Sequence, residues 1–428
     1  MIFYKTLINI RKKHGFTQEE FAKTLGCTEE YIVAIESNKE QASFTFVVNL
    51  KDKLNLHSAP ITESEREALM DSLQTFRILI DYGEMQKAAE QLPNLAKNVR
   101  VSYSPSANNF FDLFAAAYYW VANDKKAYEE TMAALSKRTD EFSGKHQHYY
   151  HRLIAVRELK DYHYNEALKA YVTAEKLDRD AQLASVGFYY LYGRCLSDMG
   201  YVAKAIKYLM KAKHLAKWRK VYNGKPNRIH DASIDGFLAN NLGIIGKSDD
   251  ALEILDKRLA IEKKKKNKHG MGITYYYLGK MHLRAKNYSE ALNNFDMAFH
   301  YCGESSHVYV NILYRKAQTF IKSGKITEGI NCADEGLDIS TRTIWTVLFD
   351  ALKHSALLSD PKLMLYMERT AIPNLLEFGQ HEEVLEYYEL LRDFHSGKKQ
   401  FELALKYSKF AYELQKQLYK ELVEGELL

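Results

Sequence analysis

The sequence predicts an all-α protein in which a small N-terminal helical domain precedes an α-solenoid of about nine helical hairpins. Three observations lead to this prediction. Only six prolines occur in 428 residues, which favours a nearly all-helical chain because proline breaks helix interiors. Capping residues and glycines divide the first 57 residues into short helices. From residue 65 onward, small and large residues recur at the spacing of two packed antiparallel helices.

The composition excludes several classes of protein. Hydrophobic residues make up 46% and aromatic residues 13% of the chain, too much for a disordered protein. The net charge of +5 is too small to indicate nucleic-acid binding by itself. The four cysteines are scattered without a Cys-x-x-Cys pair, which is typical of reduced, buried thiols in a cytoplasmic protein. No apolar run approaches the roughly 20 residues of a membrane span and residues 1–15 lack a signal-peptide core, so we expect a cytoplasmic protein without membrane partners.

The N-terminal domain is predicted to span residues 1–57. Thr17 and Glu20 form a capping box at the start of its second helix, and Gly26 allows the tight turn that follows. Thr28 caps the next helix. The predicted helices are Phe3–Lys13, Gln18–Leu25, Glu29–Ser37 and Phe44–Leu54.

The segment GFTQEEFAKTLGCTEEYIVAIES, residues 15–37, closely resembles the helix-turn-helix of the Cro/C1 repressor family. The hallmarks that carry this resemblance are Thr17-Gln18-Glu19-Glu20, Ala22, Gly26, Thr28, Ile32 and Glu36. The resemblance implies that Glu36 pairs with Arg11 inside the domain and that helix 28–37 enters the major groove of a double-stranded DNA operator. The residues expected to contact DNA are Thr17, Gln18, Thr28, Glu29, Glu30 and Tyr31.

Two glutamates leave the role of this helix open. Glu29 and Glu30 stand where related recognition helices often carry Gln, Arg or Ser. Glutamate can accept a hydrogen bond from cytosine, but carboxylates near phosphates also lower affinity. Residues 1–57 contain eight Lys/Arg and seven Asp/Glu, so the domain carries a charge of only +1. A helix-turn-helix retained for dimerisation or protein contacts is therefore the alternative to DNA binding.

Residues 58–68 are predicted to link the two domains. The sequence His57-Ser58-Ala59-Pro60 interrupts the helical pattern, and Thr62 with Glu65 forms another capping box. The repeat domain is accordingly assigned to residues 69–428.

The repeat is clearest in residues 272–303, which resemble a tetratricopeptide (TPR) unit. Leu278-Gly279, Ala291, Phe295 and Ala298 occupy the characteristic positions of such a unit. Gly279 and Ala291 leave room for two helices to approach closely, and the aromatic residues fill the space beside them.

Copies of this template predict a right-handed α-solenoid of about nine TPR-like hairpins. They start near residues 69, 110, 148, 186, 232, 272, 310, 346 and 385. Gly83, Gly200, Gly246 and Gly324 fall at the turn between the two helices of a hairpin. The last helix, residues 401–421, is expected to cap the stack with a polar outer face.

A helix-turn-helix followed by such hairpins resembles the RRNPP peptide-sensing regulators of Gram-positive bacteria and their phages, a family that includes Rap, Rgg, NprR, PlcR and PrgX. The NprR type matches best in length and domain order. The resemblance implies a quorum-sensing transcription regulator that is switched by a short signalling oligopeptide. Because one small DNA-binding head is too small for tight specific binding, we expect a homodimer, with the contact supplied by the C-terminal hairpins.

The peptide is expected to bind in a groove lined by the first helix of each hairpin. An extended peptide exposes N–H and C=O groups, which Asn and Gln side chains can match, while Tyr faces hold apolar side chains. The family resemblance also implies that inward asparagines grip the peptide backbone. Solvated helix positions or hydrogen bonds between hairpins are the alternative interpretation. The predicted peptide-binding residues are Arg194, Asn240, Asn241, Tyr276, Lys280, Asn311, Tyr314 and Gln318.

No sequence motif for catalysis or metal binding is recognised. Walker, Gly-x-Ser-x-Gly and His-Glu-x-x-His motifs are absent from the sequence. His146, His148 and His151 lack a nearby Cys or paired carboxylate that would complete a metal site. We therefore expect a protein that is not an enzyme and needs no cofactor. Two alternatives to the transcription regulator are a Rap-like protein that sequesters or dephosphorylates a response regulator, and a scaffold without a small ligand.

Overall fold

The computed structural model describes residues 3–56, 62–102, 104–178, 185–223, 231–303, 308–340, 343–357 and 361–423. Within these ranges every regular element is a helix, so the predicted all-α fold is confirmed. No helix in them combines the length and the apolar character needed to cross a membrane.

Four short helices form the N-terminal part, with bounds within one residue of those predicted. The capping box of the second helix is present, since Thr17 N donates to Glu20 Oε2 at 2.8 Å and Glu20 N donates to Thr17 Oγ1 at 3.2 Å. A buried apolar cluster that includes Leu7, Phe21 and Ile32 joins the four helices. The helices are α1 (Phe3–Lys13), α2 (Gln18–Leu25), α3 (Glu29–Glu36) and α4 (Phe44–Lys53).

Nine helical hairpins follow in the part of the chain that the structure describes, as predicted. The second arm of the eighth is divided by a π-helical segment, Met367–Ala371, and a 3₁₀ turn, Thr139–Glu141, precedes the third. The helices are α5 (Glu63–Asp81), α6 (Met85–Arg100), α7 (Pro105–Val121), α8 (Lys125–Ser136), α9 (Gly144–Lys160), α10 (Tyr164–Leu177), α11 (Val186–Asp198), α12 (Val202–Asn223), α13 (Asp231–Ile244), α14 (Ser248–Lys264), α15 (Lys268–Arg284), α16 (Tyr288–Cys302), α17 (Tyr309–Lys322), α18 (Ile326–Ile339), α19 (Thr343–Ala356), α20 (Pro361–Tyr366), α21 (Ile372–Glu377), α22 (His381–Gly397) and α23 (Phe401–Val423).

Each hairpin turn that the structure describes contains a residue with left-handed backbone geometry. The four glycines predicted for these turns all have positive φ, for example +80° at Gly200 and +83° at Gly324. The other described turns place a non-glycine residue there, with φ +59° at Asn123, +63° at Tyr162, +60° at Lys286 and +60° at Lys399. Such residues adopt this conformation less readily than glycine does.

The close approach predicted between the helices of the sixth hairpin is present. A Cβ atom added to Gly279 would lie 2.5 Å from the ring of Phe295. Ala291 and Phe295 are fully buried. Glycine is therefore required at residue 279 because any side chain there would collide with the facing helix.

The chain divides into two compact units. Unit 1 comprises Met1–Leu153 and Ala174–Leu183, and unit 2 comprises Ile154–Thr173 and Ala184–Leu428. The predicted break at residues 57–60 lies outside the described residues. Residues 63–68, which we assigned to the linker, form the first turns of α5, and the predicted capping box of Thr62 and Glu65 is present. Lys51 in α4 pairs with Glu65 at 2.5 Å, which ties the helix-turn-helix to α5 within unit 1.

The expected polar outer face of the last helix is wrong. Phe401, Leu405 and Tyr412 in α23 are 67%, 56% and 61% exposed. Their spacing of four and seven residues places the three side chains on one face of the helix. The C-terminal hairpin therefore presents an apolar surface.

Candidate functional site

Unit 2 encloses a cavity of about 120 Å³. Most of its wall comes from the first helices of successive hairpins, α11, α13, α15, α17 and α19, as the repeat template predicts. The rest comes from the starts of α10 and α22 and from the turns that precede them. The wall residues are Tyr162, Tyr164, Arg194, Ser197, Asp198, Phe237, Asn240, Tyr276, Tyr277, Lys280, Asn311, Tyr314, Arg315, Ile344, Trp345, Leu348, Gln380, Glu382 and Glu383.

Two of the predicted peptide-binding residues do not line this cavity. The Asn241 amide nitrogen donates to Ser197 Oγ and to the Phe237 carbonyl, each at 2.7 Å. Gln318 accepts a hydrogen bond from Arg315 at 2.9 Å and donates one to Glu386 at 3.2 Å. The Asn241 side chain thus joins α13 to α11, and the Gln318 side chain joins α17 to α22. The predicted residues that the structure brings together on the wall are Arg194, Asn240, Tyr276, Lys280, Asn311 and Tyr314.

The two asparagines on the wall have unused hydrogen-bonding capacity. Asn240 is only 4% exposed, and its Oδ1 atom is buried without a hydrogen-bond partner among the described residues. Asn311 is half-buried, two hairpins further along. Tyr276 lies on the hairpin between them. This arrangement can pair with both the donors and the acceptors of a polar ligand.

Aromatic side chains form much of the remaining wall. Tyr276 packs edge-on against Tyr277 with ring centroids 5.2 Å apart, and Tyr314 packs against Trp345 at 6.1 Å. Burial raises the pKa of Tyr276, Tyr277 and Tyr314, so these phenols stay protonated at neutral pH. The wall therefore offers flat apolar faces together with hydroxyl groups that can donate hydrogen bonds.

The start of α22 closes the cavity on one side. Glu382 accepts a hydrogen bond from Arg284 of α15 at 3.0 Å, and Glu383 accepts one from Arg315 of α17 at 3.1 Å. The Nδ1 atom of His381 lies 2.6 Å from the Met199 carbonyl oxygen. These contacts anchor α22 to hairpins that precede it by 68 to 182 residues.

The helix-turn-helix exposes Thr28, Glu29 and Glu30 at the start of α3. Thr28 caps α3, because its Oγ1 accepts a hydrogen bond from Tyr31 N at 3.3 Å. Val33 lies one turn beyond Glu29 on the same face and is 41% exposed. The face that could meet a groove of DNA is thus acidic at its start and apolar beyond it. Val33 was not among the predicted DNA-contacting residues, although its spacing of four residues from Glu29 was the available signal.

The other predicted DNA-contacting residues are engaged inside the domain. The predicted pair of Arg11 and Glu36 is confirmed, with two hydrogen bonds of 2.7 and 2.8 Å. Gln18 donates to the same Glu36 carboxylate at 2.8 Å. The Tyr31 hydroxyl accepts a hydrogen bond from Ser43 N at 3.0 Å. Thr17 remains exposed, but its hydroxyl caps α2.

Comparison with known proteins covers nearly the whole chain. A helix-turn-helix family model matches residues 7–60. The transcriptional activator NprA of Geobacillus stearothermophilus is 20% identical over 402 residues, which cover 91% of this chain and 97% of NprA.

Solved structures match more than four fifths of the chain. They include a Rap protein complexed with competence and sporulation factor, with a TM-score of 0.71, 14% identity and coverage of 83% of this chain and 99% of that chain. NprR in complex with its cognate peptide NprX has a TM-score of 0.70 and 16% identity, covering 81% and 99% of the two chains. The apo form of the quorum sensor NprR from B. thuringiensis has a TM-score of 0.60 and 17% identity, covering 82% and 99%.

A helix-turn-helix at residues 7–60 and a fold shared with the NprR structures together show the architecture of the chain. The chain has NprR-type architecture. This confirms the resemblance predicted from the sequence.

The TPR-like template did not reveal the whole wall of the cavity. It missed Tyr162 and Tyr164 because they lie at the junction with α10, a second helix. It missed Gln380, Glu382 and Glu383 because they precede residue 385, where the ninth hairpin was expected to start. The only local signal in the last group is a pair of acids at the start of α22, which is an ordinary feature of helix N-termini.

Proposed function

We propose that this chain is a transcription regulator that binds double-stranded DNA through residues 1–57 and is switched by a short signalling peptide in the cavity of unit 2. One observation carries the proposal: the Asn240 side-chain oxygen is buried in an aromatic cavity without a donor. A buried acceptor left unmatched costs about 1–3 kcal/mol. A peptide N–H is a donor of the required kind, and Asn311 provides a second amide for the same backbone.

The volume of the cavity determines whether unit 2 must change its conformation to bind a peptide. Ligand pockets usually measure roughly 300–1,000 Å³, more than the 120 Å³ of this cavity. A peptide of five to seven residues would therefore have to displace α22 from α15 and α17. The ion pairs Arg284–Glu382 and Arg315–Glu383 would open in that step. A peptide that favours the open arrangement shifts the balance between two states of unit 2, which is the property that a switch needs.

The named relatives support this proposal. NprA is described as a transcriptional activator. The Rap and NprR structures hold, respectively, competence and sporulation factor and the cognate peptide NprX. The exposed α3 face adds a surface on which DNA could bind.

The proposed assembly is a homodimer joined through the apolar face of α23. Phe401, Leu405 and Tyr412 each expose more than half of their surface. Together these three side chains form an apolar face of a few hundred Å², roughly the size of the largest patches on monomeric proteins. A standard interface buries about 800 Å² on each partner, of which more than half is apolar. A second copy of the same face would therefore supply a complementary apolar centre.

Binding of a response regulator is the second candidate function. The observation that favours it is the acidic start of α3, where Glu29 and Glu30 are both exposed. In that case α3 would contact a protein, and no DNA fragment would be retained.

A DNA-binding measurement tests the proposal against this alternative. The full-length protein is incubated with genomic fragments. The affinity of the retained fragments is then measured between about 50 and 200 mM salt, a range over which proteins that contact phosphates lose much of their affinity. We expect a steep loss of affinity with salt, because phosphate contacts release counterions. The double substitution Glu29→Gln/Glu30→Gln should alter fragment preference and raise nonspecific affinity, since two repulsive charges are removed.

The matched control is Glu253→Gln/Glu290→Gln, which removes two exposed glutamates from α14 and α16. It should leave DNA binding unchanged. Failure to retain any fragment at any salt concentration would overturn the DNA-binding part of the proposal and favour protein contact.

A further inference from the structure

The positive charge of the chain is concentrated in two short segments. Residues 199–230 contain nine Lys/Arg and no Asp/Glu, and residues 263–268 contain five lysines and no Asp/Glu. The rest of the chain has 46 Lys/Arg against 55 Asp/Glu, a net charge of −9. The overall charge of +5 therefore hides two strongly basic segments in an otherwise acidic protein.

The two segments meet at one edge of unit 2. Lys213 on α12 and Arg258 on α14 both bind the carboxylate of Asp235 on α13, at 2.8 and 2.6 Å. Since α12 and α14 are the second helices of successive hairpins, they run past this carboxylate in the same direction. Lys217 follows Lys213 by one turn, and residues 263–266 lie at the end of α14, in the two turns after Arg258. The ends of both helices therefore reach the same edge.

Exposed lysines dominate this part of the surface, which we call the basic edge. Three acids at the same end of α13 and α14 are held by Arg258: Asp231 at 3.7 Å, Asp235 at 2.6 Å and Glu262 at 3.1 Å. None of the lysines of the basic edge forms an ion pair with a described residue within 4.0 Å. The basic edge consists of Lys217, Lys263, Lys264, Lys265, Lys266 and Lys268.

The helices themselves do not require so many lysines at this edge. The C-terminus of a helix carries about half a negative charge, which offsets only a small part of the four consecutive lysines, residues 263–266, at the end of α14. Lys268 begins α15, where the helix dipole disfavours a cation. Residues that break such a local rule without a compensating contact indicate a functional surface.

The composition of the basic edge favours phosphate as its partner. Lysine is depleted in protein–protein interfaces, whereas protein–DNA interfaces are much more positively charged. Ile261, which is 41% exposed, is the one exposed large apolar side chain that the structure describes between residues 260 and 270. A protein interface or a membrane-bound helix would need a larger apolar centre.

We propose that the basic edge is a second DNA-contacting surface, which holds the phosphate backbone of duplex DNA without reading its sequence. Each lysine provides a compact cation on a flexible stem, which suits phosphates at varying positions. Because such contacts release counterions from the duplex, the affinity is independent of sequence and falls steeply with salt. The inference goes beyond the proposed function, since it does not require α3 to enter a groove of DNA.

The test measures binding of the full-length protein to duplexes of random sequence about 30 base pairs long, roughly three helical turns. Random sequence separates backbone contact from operator recognition. Fluorescence anisotropy gives the affinity between about 50 and 200 mM salt. The variant Lys263→Gln/Lys264→Gln/Lys265→Gln/Lys266→Gln removes four charges and keeps side chains that favour helices.

The quadruple variant at residues 263–266 should bind random duplexes at least about tenfold more weakly at about 100 mM salt. The slope of log affinity against log salt should become shallower by about 3 to 4, because each phosphate contact contributes about 0.9 to it. The fragment preference of the wild-type protein should persist in this variant, since α3 is unchanged.

Lysines from turns inside hairpins provide the matched control. The variant Lys125→Gln/Lys247→Gln/Lys286→Gln/Lys325→Gln also removes four exposed charges. It is matched in backbone geometry too, because Lys286 has φ +60° and Lys266 of the basic edge has φ +54°. We expect this control to keep the wild-type affinity and salt slope.

A second variant tests whether the basic edge extends over several helices. Lys217→Gln/Lys268→Gln removes one charge from α12 and one from α15. It should reduce the salt slope by about 2. Thermal melting checks that each variant folds, and this double variant keeps the test decisive if the quadruple variant does not.

The inference is wrong if the variants of the basic edge keep the wild-type salt slope, or if the control variant loses as much affinity as they do. Tighter binding of labelled polyglutamate than of duplexes would assign the basic edge to an acidic protein. Binding to phosphatidylserine vesicles without binding to duplexes would assign it to a membrane. If random duplexes bind through the basic edge but no genomic fragment is preferred, operator recognition fails and this inference stands.

Discussion

The indole Nε1 of Trp345 donates a hydrogen bond of 3.1 Å to the hydroxyl of Tyr162, which lies 183 residues earlier in the chain. Tyr162 adopts φ +63° at the turn between α9 and α10, and both residues line the cavity. The contact therefore joins the third hairpin to the eighth across the candidate site.

A double-mutant cycle measures this contact. Trp345→Phe and Tyr162→Phe each remove one hydrogen-bonding group while keeping an aromatic ring. The measured quantity is the free energy of opening that protects the amides of α19 from hydrogen exchange. We expect a coupling of about 1 kcal/mol between the two substitutions, which is the usual contribution of one hydrogen bond. Additive effects of the two substitutions would show that the hydrogen bond contributes nothing to closing the cavity.

The wall asparagines should control peptide affinity. For a hexapeptide selected from a random pool by co-elution with the full-length protein, Asn240→Ala and Asn311→Ala should each weaken binding roughly 5- to 150-fold, because peptide N–H and C=O groups lose their partners. Calorimetry gives the affinities, and thermal melting checks that folding is retained. Ser355→Ala is a suitable control, since its hydroxyl donates to the Leu352 carbonyl and is not on the wall. Wild-type affinity in both asparagine variants would place the peptide elsewhere.

The sixth hairpin should not tolerate a side chain at residue 279. Alanine normally stabilises a helix by about 1 kcal/mol relative to glycine. In Gly279→Ala, however, the new Cβ would lie 2.5 Å from the Phe295 ring, and overpacking of this kind costs about 1–3 kcal/mol. We expect net destabilisation, measured as faster hydrogen exchange in α15 and α16. Gly397→Ala is the matched control, because an added Cβ there has no neighbour within 4 Å. Equal effects of the two changes would contradict the close packing.

The apolar face of α23 should determine the oligomeric state. Leu405→Glu places a charge at the centre of the exposed face, next to Phe401 and Tyr412 in helical register. Light scattering at micromolar concentration should show a dimer for the wild-type protein and a monomer for the variant. Leu357→Glu is the control, since Leu357 is 43% exposed but lies outside α23. A wild-type monomer with and without DNA would rule out the proposed assembly.

The sequence by itself determined the features that depend on short stretches of chain. Capping residues such as Thr17 and Thr62 fixed where helices begin, because a side-chain oxygen satisfies backbone N–H groups only a few residues away. Glycines fixed the hairpin turns because of their freedom at positive φ. The same periodic pattern placed Asn240, Asn311 and Tyr276 on first helices that face one cavity.

Only the tertiary structure decided which of these side chains are available to a ligand. Asn241 satisfied the same residue-type rule as Asn240, yet it bonds to Ser197 across a helix interface. Glu382 and Glu383 joined the wall because α22 packs against helices that precede it by 68 to 98 residues. A repeat template describes contacts between neighbouring hairpins, whereas the ion pairs Arg284–Glu382 and Arg315–Glu383 join residues on three helices, α15, α17 and α22. Packing between distant hairpins sets these ion pairs, and no local pattern in the sequence encodes them.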